Sequence, residues 1–158
     1  MKNLTGKTND HPILVPVDFS SHSEAALVKA CEMAQCMKLP ILVLHVIHDP
    51  GDMPGYYGKI NKKKSLTRIE DLATEMFEGF MKEVSDQHPK LGILQRCETM
   101  LVMGLPVTKI LQVIKKLNAS MVVMGSQGRT GLEHMLLGSK AEQVVRLAPI
   151  PVTIVKAK

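Results

Sequence analysis

Short apolar runs of the kind that form buried strands alternate with stretches of helical periodicity from Ile13 to Val155, and few folds accommodate that alternation. Ile13-Leu14-Val15-Pro16-Val17 and Ile41-Leu42-Val43-Leu44-His45-Val46-Ile47 are apolar almost throughout, as strands covered on both faces of a parallel sheet must be. Pro16 is tolerable only near a strand end, because it donates no ladder hydrogen bond. Between the two runs, Ser21 and Glu24 are spaced as a capping box, and Ala26, Ala30, Met33, Ala34 and Met37 form a helical stripe reaching Lys38. Residues 48–59, HDPGDMPGYYGK, read as a loop. Thr67 and Glu70 then form a second capping-box pair, with Ile69, Leu72, Ala73, Met76, Phe80 and Val84 continuing a helix until His88-Pro89 ends it.

Residues 93–102 mix apolar and polar positions, which suits a third strand nearer the sheet edge. Gly104-Leu105-Pro106 turns the chain into a third helix, whose inward residues are Val107, Ile110, Leu111, Ile114 and Leu117 and whose stop is Asn118. Met121–Met124 is a fourth strand, residues 139–147 a fourth helix and Ile150–Val155 a fifth strand. This order predicts an α/β fold: three α/β/α layers around a five-stranded parallel sheet, doubly wound and Rossmann-like, because right-handed crossovers leave little else. Ligands in such sheets bind beyond the carboxyl ends of the strands where the winding reverses. Asp18 and the segment 125–138 stand at two such ends.

A chain of 158 residues fits a single domain, here expected over 11–158 after a flexible, polar N-terminus at 1–10. No run approaches the ~20 apolar residues that cross a bilayer, so no membrane partner is expected. The first ten residues contain no signal-peptide core, so the chain is expected to stay in the cytoplasm. Cys31, Cys36 and Cys97 form no CxxC, and helical geometry separates the first two by about 140°, so they read as reduced and mostly buried. The net charge of +5 raises nucleic acid as a partner, but with no Trp, two Tyr and three Phe the chain is poor in stacking platforms. Lys62-Lys63-Lys64 reads as a solvated run, and a weak preference for anions remains.

The segment 125–138 is long for a strand-to-helix connection and carries Gly125, Gly128, Gly131 and Gly138. Glycines let backbone N–H groups point inward, and a helix starting at Ser139 adds unpaired donors and a favourable dipole, a combination suited to phosphate. Arg129 can add a charge-assisted contact and Ser139 a hydroxyl. The same glycines also fit a role in turns alone, and Ser139, three residues before Glu142, also fits a capping box; the two roles of Ser139 are compatible. Asp18 likewise fits either a ligand contact or a turn, while Val46 and Met124 are core residues under any reading. Neither GxxxxGK[ST] nor GxGxxG occurs.

The spacing Gly125-x2-Gly128-x9-Gly138-Ser139 resembles the G-x2-G-x9-G-[ST] pattern of the universal stress protein family, in its ATP-binding branch. VPVDFS at 15–20, LHVI at 44–47, Gly104-Leu105-Pro106 and PVTIVK at 151–156 are similar to further landmarks of that family, so the resemblance spans Ile13 to Val155. It implies a fold of the adenine nucleotide alpha hydrolase-like kind and a bound ATP, AMP or ADP, with Mg²⁺ or Mn²⁺ held only through the phosphates. It also implies that Asp18 and Val46 lie along adenine and ribose, that Pro16 and Val17 line that pocket with Met124 nearby, that Gly125 approaches the ribose, and that Gly128, Gly138 and Ser139 hold phosphates. Two positions depart from the pattern. Val17 stands where ATP-binding members often carry a hydroxyl, and Lys140 where a small apolar residue is usual, so Lys140 either reaches the phosphates or projects into solvent.

His45 and His48 point to opposite faces at strand spacing, so no protein-built metal site is expected, and His22, His88 and His134 read as surface residues. No nucleophile arrangement has defensible spacing, so no catalytic residue is assigned. The expected function is that of a nucleotide-dependent regulatory or stress-response module. The alternatives are a slow ATP hydrolase or phosphoryl-transfer protein, and a nucleotide-independent, chaperone-like dimer. Val152, Ile154 and Val155 at a sheet edge, together with the family's habit, predict a homodimer through the last strand.

Overall fold

Seven consecutive residues, Ile41–Ile47, are all buried and form β2, a strand with helices over both faces. The computed structural model describes residues 11–47, 69–128 and 137–157. Around β2 the chain runs through β1 (Ile13–Pro16), α1 (Ser21–Met37), α2 (Ile69–Gln87), a 3-10 helix (Gly92–Arg96), β3 (Glu98–Met103), α3 (Pro106–Leu117), β4 (Met121–Gly125), α4 (Ser139–Leu147) and β5 (Val152–Val155). The five strands make one sheet in the order β3-β2-β1-β4-β5, and every pairing is parallel. The sequence expectation of a five-stranded, doubly wound, three-layer fold holds.

Side-chain alternation divides the core in two. Ile13, Val15, Val17, Ile41, Val43, Met121 and Val123 face α1 and α2, whose Ala26, Ala30, Ala34, Phe77 and Phe80 complete that layer. Leu14, Leu42, Leu44, Val46, Val122 and Met124 face α3 and α4, meeting Ile110, Val113, Ile114, Ala141 and Val144. Three alanines at four-residue spacing let α1 lie close on the sheet. No described helix is long and apolar enough to cross a membrane.

Several local expectations need correction. The cap of α1 is Ser20, with φ -87° and ψ 162°, and its box partner is Ser23 rather than Glu24. Ser20 Oγ accepts from the Ser23 amide at 3.2 Å, and Ser23 Oγ accepts from the Ser20 amide at 3.1 Å. The cap falls one residue early because Phe19 takes a left-handed turn, φ 64°, directly after Asp18. Glu24 instead lies 3.5 Å from His88. Residues 92–96 are a 3-10 helix rather than strand, since that turn sends Leu94 into the core at 4% exposure; β3 begins only at Glu98. It is an edge strand, as expected. β5 starts at Val152 rather than Ile150, and Pro151 supplies a carbonyl to Val122.

On α1, Leu27 and Cys31 are buried while Met37 is exposed; on α2, Phe77 is buried and Met76 only half so. Asn118 does end α3, in a left-handed conformation. Thr67, the 48–59 loop and Lys62-Lys63-Lys64 lie outside the described residues. All three thiols are free, but Cys36 is exposed, against expectation. A hydrogen bond with Cys97, helped by burial, pushes the Cys31 thiol far up.

Leu14 is fully buried in the middle of β1, whereas Leu105 is 62% exposed. Leu14→Ala is therefore expected to cost about 2–5 kcal/mol in denaturant unfolding. Leu105→Ala should stay within about 0.5 kcal/mol of the unaltered protein.

Candidate functional site

β1 pairs with β2 on one side and β4 on the other, so the chain winds outward to β3 and returns past β1 to reach β4 and β5. The winding reverses between β1 and β4, and in doubly wound sheets the ligand crevice lies beyond the carboxyl ends of the strands at that point. Pro16 and Val17 form one lip. The Val17 amide extends the ladder to Leu44 O at 2.8 Å, and its carbonyl accepts from His45 Nδ1 at 2.8 Å. That acceptor makes Nδ1 the protonated ring nitrogen.

His45 is 2% exposed and stacks on Phe19 with ring centroids 4.2 Å apart. Phe77 and Phe80 also approach the Phe19 ring, at 5.9 and 5.5 Å. These contacts offset the ~1–3 kcal/mol that a left-handed non-glycine residue costs. They hold the turn that aims Asp18, whose Oδ1 accepts from Ser20 Oγ at 2.6 Å and from the Ser20 amide at 3.2 Å. His45 is thus a structural support, and His48 lies outside the described residues. Among the described residues no cluster of His, Cys, Asp and Glu is suited to a metal.

The other lip follows β4. The built Cβ of a residue replacing Gly128 would lie 2.6 Å from Asp18 Oδ2, so this backbone passes directly against the carboxylate. Gly125 is equally confined: a Cβ there would come within 2.8 to 2.9 Å of the His22 backbone and Cβ. The far end of the connection returns to the same place. The Gly138 amide donates to Ser126 O at 2.7 Å, and a Cβ on Gly138 would stand 3.9 Å from the Gly128 nitrogen. Asp18, Gly125, Gly128 and Gly138, separated by up to 120 residues in sequence, are therefore gathered at the carboxyl ends of β1 and β4.

Gly138 is the N-cap of α4 and no side chain caps that helix, so Ser139 does not form the capping box its spacing suggested. Ser139 and Lys140 are exposed in the first turn. Val46 and Met124 are 8% and 7% exposed, with side chains packed toward α3 and α4. Arg129 and His134 fall outside the described residues. Chemically, the Gly138 end offers α4's unpaired N–H donors and dipole to an anion. Asp18 offers acceptors only, which match hydroxyls rather than phosphate oxygens.

Sequence reasoning missed three polar residues here. His22 is half-buried rather than on the surface, Ser126 is 2% exposed, and His45 is bonded to Val17. Their partners are distant in sequence, so no local spacing marks them.

A five-stranded parallel sheet wound both ways from β1, with glycines gathered at its switch point, defines a doubly wound α/β protein. The Universal stress protein family model matches residues 11–156, and the chain belongs to that family. Universal stress protein MJ0531 of Methanocaldococcus jannaschii is 31% identical over 144 residues, covering 91% of this chain and 81% of the relative. The solved structure of the protein MJ0577 superposes with a TM-score of 0.69 at 25% identity, covering 93% of this chain and 96% of that one. MJ0577 comes from the same organism. A universal stress protein from Archaeoglobus fulgidus, solved in complex with dAMP, shares the fold with a TM-score of 0.58 at 23% identity over 92% of this chain and 97% of that one.

The two kinds of glycine separate experimentally. A Cβ at Gly79, an exposed position in α2, meets nothing within 4 Å, so Gly79→Ala should stabilise the fold by about 0.5–1 kcal/mol. Gly125→Ala forces a Cβ into the α1 backbone and should destabilise it by about 1–3 kcal/mol, as read from thermal unfolding.

Proposed function

We propose that the chain is an ATP-binding regulatory protein of the cytoplasm, whose occupancy by adenine nucleotide changes the surface it presents in a stress response. The convergence of Asp18, Gly128 and Gly138 in one crevice carries this reading. In it, Pro16, Val17, Asp18, Val46 and Met124 flank the adenine and ribose. Gly125 approaches the sugar, and Gly128, Arg129, Gly138 and Ser139 hold the phosphates. Lys140, exposed one residue into α4, is near enough in sequence to join them. Mg²⁺ or Mn²⁺ enters with the phosphates, because such ions keep waters and need few protein ligands. The dAMP complex of the Archaeoglobus fulgidus protein is in keeping with the same ligand class.

Binding without turnover is favoured over hydrolysis. The Asp18 carboxylate, the acidic group at the site, is already engaged by Ser20, whose hydroxyl and amide both donate to it. The protein is also proposed to dimerise through β5, an edge strand with all four residues only partly buried.

Incubation with ATP and Mg²⁺, followed by separation of bound nucleotide and assay of ADP, tests the reading. ATP should stay bound and intact; steady ADP release would instead identify a hydrolase. Gly128→Val and Gly138→Val should each weaken ATP binding by at least about tenfold, equivalent to ~1.4 kcal/mol. Unchanged affinity in both would remove the phosphate assignment. Light scattering at micromolar concentration should give twice the chain mass, and a monomer would contradict the β5 interface.

A further inference from the structure

We propose that His22 is a positioning residue that fastens the end of β5 to the glycine connection after β4 and thereby holds the crevice in its binding geometry. His22 is the second residue of α1, and its Nδ1 lies 3.2 Å from the Ala157 amide nitrogen. A backbone amide only donates, so Nδ1 is the acceptor and the ring proton sits on Nε2. The Ser126 hydroxyl approaches the same nitrogen at 3.4 Å.

Ser126 is the hub on the other side of this contact. Only 2% exposed, it donates its amide to Val155 O at 2.8 Å and accepts at its carbonyl from the Gly138 amide at 2.7 Å. Its backbone is thus tied to β5 and to the start of α4, while its side chain meets His22. The backbone of His22 is itself pressed against Gly125, within 2.8 to 2.9 Å of where a Cβ would stand. Three segments distant in sequence, the start of α1, the Gly125–Gly128 turn and the end of β5, therefore meet at one imidazole. Removing the acceptor frees Ala157 and leaves the buried Ser126 hydroxyl without this partner, a loss transmitted through the Ser126 carbonyl to Gly138. The effect on affinity rests on the adenine-nucleotide reading; the effect on the loop does not.

The test compares His22→Leu, which keeps bulk without the acceptor, with His22→Asn, whose Oδ1 can replace Nδ1 as acceptor. Amide hydrogen exchange at Ala157 and Gly138 is followed in the full chain without ligand. In His22→Leu both amides should exchange at least about tenfold faster, and His22→Asn should restore their protection. ATP titration should show about fivefold weaker binding for the Leu variant, the effect of one lost hydrogen bond, and near-normal binding for the Asn variant. Unaltered exchange at Gly138 in His22→Leu, or failure of Asn to restore it, overturns the proposal. So does unaltered ATP affinity in the Leu variant of a protein that binds ATP. If the unaltered protein binds no ATP, the nucleotide reading fails, and the exchange comparison still decides the role of His22.

Discussion

The parallel pairing of β1 with β4 is the contact on which the crevice depends. It is short, with Ile13 opposite Met121 and Leu14 opposite Val122, yet it joins strands more than 100 residues apart. Both strands are buried on two faces, so the pairing is clamped by α1 above and by α3 and α4 below. Beyond it the Gly125–Gly128 turn passes directly against the Asp18 carboxylate. Ligands of doubly wound sheets bind at such a switch point, beyond the carboxyl ends of the strands.

Close backbone approach then shapes the ends of β1 and β4. The Gly128 backbone sits where any side chain would strike Asp18, and Gly138 returns to bond Ser126. Peptide N–H groups and the start of α4 favour negative charge here, while the Asp18 carboxylate, directly against the Gly128 backbone, offers acceptors that match hydroxyl donors. The proposed ligand, a nucleotide, carries both phosphate oxygens and sugar hydroxyls and so presents partners to both kinds of group. The left-handed Phe19 and its stack on His45 fix the position of the carboxylate, so strain in the turn is balanced by aromatic packing beneath it.

The fold was legible in the sequence because parallel strands covered on both faces must be apolar at successive positions, a pattern that Ile41–Ile47 satisfies completely. Strand order was legible only as a class, since pairing partners leave no local trace. Boundaries failed where tertiary contact overrode spacing. Ser20 displaced Ser21 as the cap because of the Phe19 turn, and Leu94 reached the core through a 3-10 turn rather than along a strand. In the crevice, glycine spacing and the resemblance it carries marked Gly125, Gly128 and Gly138, and Asp18 was marked by its place at a strand end. His22, Ser126 and His45 were not, because each acts on a partner remote in sequence, Ala157 being 135 residues from His22.

The central claim is that adenine nucleotide occupies the gap between the ends of β1 and β4. Amide chemical-shift mapping during ATP titration with Mg²⁺ tests it most directly. The expected result is that the largest shifts cluster at Asp18, Gly125, Gly128, Gly138 and Ser139, with β3 and α2 little changed. Shifts centred on β3 and α2, or none at millimolar ATP, would contradict it.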